Sequence, residues 1–360
     1  IYNYLRCQTS KKYRFLMTNP LFRNALNRIP QNTPPIWFMR QAGRYHSHYQ
    51  DLKKNYSFED LCKNPKLAAE TALGPINDFD FDVSILFSDI LFPLEALGMN
   101  LRYDPGPIFK KFIDPSNLKE LHSVDEAITK LTFQGEALKL TRELLPSNKS
   151  LIGFIGGPWT VASYGTGMNK GINYDGFLNH EFINNLLSNK IFPLLKKNIE
   201  LQIQSGAEVV MIFDTDASRI GNAEDYRKYS KSVYDHLILP FGNKVGYFAK
   251  HPFEYDYFVE SINSTKETSL SGIGVDHTHL ISDWIKKTNR GFIQGNFNQE
   301  ELTKPLDSLK LALDNYIEPL LNLSAEDRAG WVCGLGHGIL KTTPEENVRY
   351  FIKTIRETFK

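Results

Sequence analysis

Eight short apolar runs punctuate the chain, at Ile36–Met39, Val83–Phe87, Leu151–Ile155, Glu208–Phe213, Lys244–Ala249, Gly272–Val275, Gly291–Gln294 and Gly330–Leu335. Each has the length of a strand and is rich in Ile, Val, Phe or Leu. The longer stretches between them read as helices. Asn64-Pro65 sets an N-cap before a proline at the first helical position. Ser123-Val124-Asp125-Glu126 and Thr343-Pro344-Glu345-Glu346 both predict capping boxes. Strands alternating with helices, with no break in composition, predict one parallel-sheet α/β domain. The count of eight predicts a single (β/α)8 TIM barrel; periodicity alone leaves an open, doubly wound sheet as the alternative.

Polar and ionisable residues gather just after these runs. Arg40 and Arg44 follow the first, Asp89 the second and Tyr164 the third. Asp214, Thr215 and Asp216 follow the fourth, Lys250 and His251 the fifth, Asp276 the sixth, Asn296 the seventh and His337 the eighth. In a barrel such ends converge on one face, where active sites are built. The pair Arg40 and Arg44, at the mouth of a buried run, favours an anionic ligand carrying more than one charge, because guanidinium meets carboxylate or phosphate with two parallel donors.

Composition narrows the possibilities. A net charge of +1 in 360 residues gives no global field for nucleic acid, so anion selectivity must be local. No apolar run approaches the roughly 20 residues of a membrane span. Cys7, Cys62 and Cys333 stand singly, against a disulfide framework or a thiolate zinc site. The pairs His46/His48 and His277/His279 lack the further ligands that a metal centre requires. The glycines of Gly153-Phe154-Ile155-Gly156-Gly157-Pro158 fit neither a dinucleotide fingerprint nor a P-loop and read as a tight turn. Residues 1–18 read as a basic leader before a catalytic domain at 19–360. The opening Ile1 leaves the compartment open between cytoplasm and an organelle such as a plastid.

Pro34-Pro35-Ile36-Trp37-Phe38-Met39-Arg40-Gln41-Ala42-Gly43-Arg44-Tyr45 resembles the N-terminal signature of the uroporphyrinogen decarboxylase family. The resemblance continues in order through Leu86–Leu91, Gly157-Pro158-Trp159-Thr160 with Tyr164, Val245–Lys250 and Leu335–Leu340, and so covers almost the whole chain. It implies cofactor-free conversion of the four acetate side chains of uroporphyrinogen III to methyls, giving coproporphyrinogen III and four CO2. It further implies a TIM barrel working as a homodimer with facing clefts.

The resemblance also assigns roles by position. Asp89, which residue type alone would make a helix cap, matches the aspartate that holds the substrate's pyrrole N–H groups. Arg40 and Arg44 match arginines that meet its carboxylates. Tyr164 matches a hydroxyl donor near the reacting acetate, and His337 matches the family's histidine. Thr215 stands where most members carry serine and keeps the hydroxyl. Asp216, Ser218, the His46-Ser47-His48 stretch and Gly165-Thr166-Gly167-Met168 depart from the family's pattern. Two other readings remain open. A corrinoid-dependent methyltransferase on the same barrel would need zinc, for which Cys333 and His337 are the nearest candidates. A porphyrin carrier would keep the pocket without turnover.

Overall fold

The computed structural model describes residues 18–172, 180–250, 256–264 and 270–360. Nearly all of the expected leader, with Cys7, lies outside the described residues, as does His251. The strands are β1 (Val83–Ile85), β2 (Leu101–Tyr103), β3 (Pro107–Phe109), β4 (Ser150–Gly156), β5 (Val209–Phe213), β6 (Val245–Phe248), β7 (Gly272–Gly274), β8 (Phe292–Phe297) and β9 (Trp331–Leu335). Seven form one curled sheet in the order β1-β4-β5-β6-β7-β8-β9. Every neighbouring pair in it is parallel. Strand order follows chain order without reversal, which excludes the doubly wound alternative.

Seven of the eight apolar runs become these strands. The first does not: only Ile36 makes a ladder bridge, to Cys333 of β9. The reason is local chemistry. Pro34 and Pro35 have no N–H to give. The Ile36 N–H donates to the Asp82 carboxylate at 2.9 Å, and the Phe38 N–H to the Gln41 side chain at 3.2 Å. The remaining backbone groups still pair on both sides. Trp37 N donates to Cys333 O, Cys333 N to Pro35 O, and Asp82 N to Ile36 O. The segment thus lies between β9 and β1, stitched partly by side chains.

An antiparallel hairpin, β2–β3, adds to the expected elements, and Asp104-Pro105-Gly106 supplies its turn chemistry. Among the helix signals, Asn64 caps the helix Pro65–Phe79 through the Lys66 and Leu67 N–H groups. Ser123 accepts from Glu126 N, without the reciprocal half of a box. At Thr343 the expectation fails. The helix Glu345–Thr358 has Pro344 at its cap and no side-chain cap bond. Thr343 sits one residue outside, and the Glu345 carboxylate accepts instead from Ser47 N at 2.6 Å.

The glycines at the end of β4 also differ from expectation. Gly153 and Gly156 lie within the strand, and Gly157 is the N-cap of the helix Pro158–Thr166. A Cβ on Gly157 would stand 2.1 Å from the Asp214 carboxyl carbon, so that glycine serves a close approach. Large side chains, among them Trp37, Phe38, Phe81, Tyr247, Phe248 and Trp331, are buried in the main core. Among the described residues no helix is long and apolar enough to cross a membrane.

Candidate active site

The loop after the first segment is rigid where it carries the arginines. Gln41 is buried; its side chain accepts from Phe38 N and donates to Val83 O of β1. The Tyr45 hydroxyl donates back to Gln41 O at 2.7 Å. Arg40 itself adopts a left-handed backbone, φ 61°, a conformation that costs a non-glycine residue energy and recurs at functional sites. Its guanidinium is exposed and, among the described residues, makes no hydrogen bond or ion pair.

Asp89 follows β1 and is half-buried. Its Oδ1 accepts from Leu91 N at 2.8 Å. It therefore closes a turn before the helix Phe92–Ala96, whose cap position belongs to Leu91. Burial pushes its carboxyl pKa up, opposed by the Leu91 N–H, the Tyr103 hydroxyl and the Arg40 charge. Burial likewise pushes up the Tyr164 hydroxyl, with Asp216 and Asp89 adding to the rise and Arg40 and Arg219 opposing it.

His337 sits between two glycines that neighbours approach closely. A Cβ on Gly336 would meet His277 N at 2.4 Å, and one on Gly338 would meet the Arg40 Cδ at 2.5 Å. Burial brings the His337 imidazole down to about 4, helped by Arg40, Lys250 and His277 and opposed by Asp276. Near neutrality His337 is thus an uncharged donor and acceptor.

Arg40 is the common member of these environments, acting on Asp89, Tyr164 and His337 together. Four of the six sequence-derived residues therefore share one neighbourhood. Thr215 begins the turn after β5, next to Asp216. Arg44 is exposed and acts on Tyr49 instead. Of the remaining strand-end residues, two have structural duties. Asp276 accepts from Thr278 N, and the Asn296 amide donates to Asp276 O and His279 O.

Asp214 has a larger role than its place after β5 suggested. It is fully buried, and its Oδ1 accepts from Thr160 N and Thr160 Oγ1 at 2.9 and 2.8 Å. The Tyr229 and Tyr247 hydroxyls donate to its Oδ2. Thr160 Oγ1 in turn accepts from Asp216 N, and Ser163 Oγ donates to Asp216 Oδ2 at 2.7 Å. This lattice caps the helix bearing Tyr164 from a different strand and fixes it against the Thr215 turn. Burial raises the Asp214 carboxyl to about 6 despite those donors.

Three of the four paired histidines have other close neighbours. His46 is buried with its Nε2 2.6 Å from Asp78 Oδ2, and His48 packs over Gly74. The His279 ring meets Trp284 edge-on at 5.5 Å. Among the described residues no group of three His, Cys, Asp or Glu is placed to hold a metal ion. Cys333 is fully buried, and burial pushes its thiol up, away from the thiolate that zinc ligation requires.

The fold alone is close to that of a methyltransferase from Methanosarcina mazei, with a TM-score of 0.69 at 17% identity over 96% of this chain and 99% of that one. Sequence is more specific. Uroporphyrinogen decarboxylase of Campylobacter jejuni subsp. jejuni serotype O:23/36 is 35% identical, over 94% of this chain and 99% of its own length. That of Orientia tsutsugamushi strain Ikeda is 35% identical over 92% and 96%, and that of Prochlorococcus marinus strain MIT 9301 33% over 93% and 96%. The uroporphyrinogen decarboxylase family, URO-D, matches residues 17–358. With relatives at a third identity along nearly their entire length and a family match spanning both ends of the sheet, the chain belongs to the uroporphyrinogen decarboxylase family.

Proposed function

We propose that this protein decarboxylates the four acetate side chains of uroporphyrinogen III, giving coproporphyrinogen III and four CO2 in porphyrin synthesis. The observation that carries the reading beyond family membership is the shared environment of Arg40, Asp89, Tyr164 and His337. Each acetate takes up one proton net and leaves a methyl group and CO2. Loss of CO2 leaves an electron pair that needs a sink. Protonating the adjacent pyrrole carbon makes the ring cationic, and that ring accepts the pair. Asp89 accepts hydrogen bonds from the pyrrole N–H groups and stabilises the cation, which is electrostatic preorganisation. Arg40 and Arg44 hold substrate carboxylates, and Tyr164, Thr215 and His337 orient the rest.

No metal or organic cofactor is needed for this chemistry, and the buried, high-pKa Cys333 supports that reading over a thiol-activating zinc site. We read the sheet as closed into a (β/α)8 barrel, with the Ile36 segment as its eighth member. Its hydrogen bonds to both β9 and Asp82 support this. We further read residues 19–360 as one catalytic unit acting as a homodimer, in the cytoplasm or an organelle.

The decisive experiment is anaerobic turnover of uroporphyrinogen III, with products separated by carboxylate number. Stepwise appearance of species with seven to four carboxylates is expected. Tight binding without loss of CO2 would make the protein a carrier. Activity removed by a chelator and restored by zinc would favour the methyltransferase.

A further inference from the structure

The turn after β5 carries a third arginine. It runs from Thr215 to Arg219 as one short 3-10 helix. Ala217 and Ile220 anchor it in the core, and their N–H groups donate to Asp214 O and Ala217 O. Ser218 Oγ donates to Thr215 O at 3.2 Å. Asp216 is largely buried against the helix Pro158–Thr166. Ser163, next to Tyr164 in that helix, donates its hydroxyl to Asp216 Oδ2 at 2.7 Å, and the Asp216 N–H donates to Thr160 Oγ1 at 3.0 Å. Arg219 has its Nε 3.9 Å from Asp216 Oδ1 and its side chain 57% exposed. At that distance the two form an ion pair without a hydrogen bond, and among the described residues the Arg219 guanidinium donates none.

We propose that Arg219 is a further carboxylate-binding residue, held by Asp216 on the wall that the Tyr164 helix and the Thr215 turn build together. The inference rests on the reading of the substrate as uroporphyrinogen, a molecule with eight carboxylates. Arg40 and Arg44 come from one loop, after the Ile36 segment. Arg219 comes from a different strand end, on the turn whose first residue, Thr215, is itself a proposed substrate contact. Asp216 alone would repel substrate carboxylates from this wall, and Arg219 offsets that charge. Because the arginine approaches Asp216 through Nε, its Nη1 and Nη2 remain as an end-on fork, which takes a carboxylate with two parallel donors. The bracing of the turn fixes the backbone that carries this fork, so less freedom is lost when a ligand binds. Asp216 and Ser218, the residues of this turn that depart from the family's pattern, both supply that bracing. The charges of Arg40, Arg219 and Asp216 also act together on the Tyr164 hydroxyl, in keeping with a shared wall.

Arg219→Gln removes the charge and tests the inference. Steady-state decarboxylation of uroporphyrinogen III is compared in wild type, Arg219→Gln, Arg219→Lys and Arg227→Gln, with melting temperature as the folding control. Arg227 is a matched surface arginine, 55% exposed and paired with Glu260 at 2.7 Å. KM should rise roughly 3- to 10-fold in Arg219→Gln, as for loss of a charged hydrogen bond at an exposed site, with kcat little changed. Arg219→Lys should recover part of the loss, because it keeps the charge without the fork. Raising the ionic strength from about 0.05 to 0.5 M should narrow the gap between wild type and Arg219→Gln, since charges at a rim are screened. A KM in Arg219→Gln no higher than in Arg227→Gln, beside an active wild type, overturns the role of Arg219 alone. A loss confined to kcat or to melting temperature does the same and leaves Arg219 a turn residue. A wild type that does not turn over uroporphyrinogen overturns the reading of the substrate, and this inference with it.

Discussion

The Arg40 side chain lies directly over Gly338, so close that a Cβ there would stand 2.5 Å from its Cδ. The neighbour that must yield is a flexible stem rather than backbone. Gly338→Ala should therefore fold normally while shifting the guanidinium. Misplacement of a binding group by about 1 Å can cost roughly 10²-fold, so kcat/KM should fall by about that factor with little change in melting temperature. Steady-state kinetics and a thermal melt check both. Unchanged kinetics would place Arg40 outside the productive complex.

Arg40→Ala should impair turnover far more than Arg102→Ala. Both are exposed, but Arg102 lies on the β2–β3 hairpin, whereas the Arg40 charge bears on Asp89, Tyr164 and His337. Losing one partner of a desolvated charged hydrogen bond costs about 2–5 kcal/mol. Parallel kcat/KM measurements on the two variants decide the matter, and equal losses would reduce Arg40 to a surface charge.

Asp89→Asn should keep the fold, since an amide oxygen still accepts from Leu91 N. It removes the negative charge and presents two donors to pyrrole N–H groups that need acceptors. Losing one preorganised electrostatic partner costs roughly 10²–10³ in rate. The loss should fall on kcat more than on KM. Normal turnover with a normal melt would leave the Leu91 turn as the residue's whole purpose.

His337 offers a pH test in two parts. Its folded pKa lies near 4 against an ordinary 6.5. Between those values the unfolded chain takes up a proton that the folded chain refuses, so stability falls as pH falls from about 6.5 to about 4. It is unaffected by this group above that window. Wild type should therefore lose roughly 2 kcal/mol more than His337→Gln between pH 7 and pH 4.5 in denaturant melts. A neutral imidazole also means that the activity profiles of the two proteins should run parallel from pH 6 to 8. A wild-type limb near pH 6.5 that vanishes in the variant would show that the imidazole titrates in the folded protein.

The parts of this molecule legible in its sequence are those written by side-chain type over short distances. Apolar β-branched and aromatic runs placed seven strands, and Asn64-Pro65 placed a helix start. The residues trailing those runs supplied the proposed site, because a parallel sheet in chain order brings its strand ends together. What escaped depends on partners far along the chain. The first run looked like a strand, yet two of its N–H groups go to Asp82 and Gln41. Gly157 looked like a turn residue until Asp214, 57 positions later, proved to fill the space a Cβ would need. Thr343 had the pattern of a cap, but pattern does not fix which residue begins the helix.

The stitching of the Ile36 segment has a consequence for how the protein comes to exist. Its backbone partners are Asp82, some 46 residues away, and Cys333, nearly 300 residues away. During synthesis the first partner emerges early and the second only near the end. Contacts of such sequence separation bear the largest chain-closure entropy and form late. The loop holding Arg40 and Arg44 hangs directly from this segment; its Gln41 contact with β1 can form early, whereas the Cys333 side of the segment stays unpaired until the last strand is made. The segment is thus held on both sides only when the last strand docks, and under the proposed function this makes ligand affinity a late reporter of folding. Amide exchange should open Trp37 and Cys333 together, as the seam where the two ends of the chain meet.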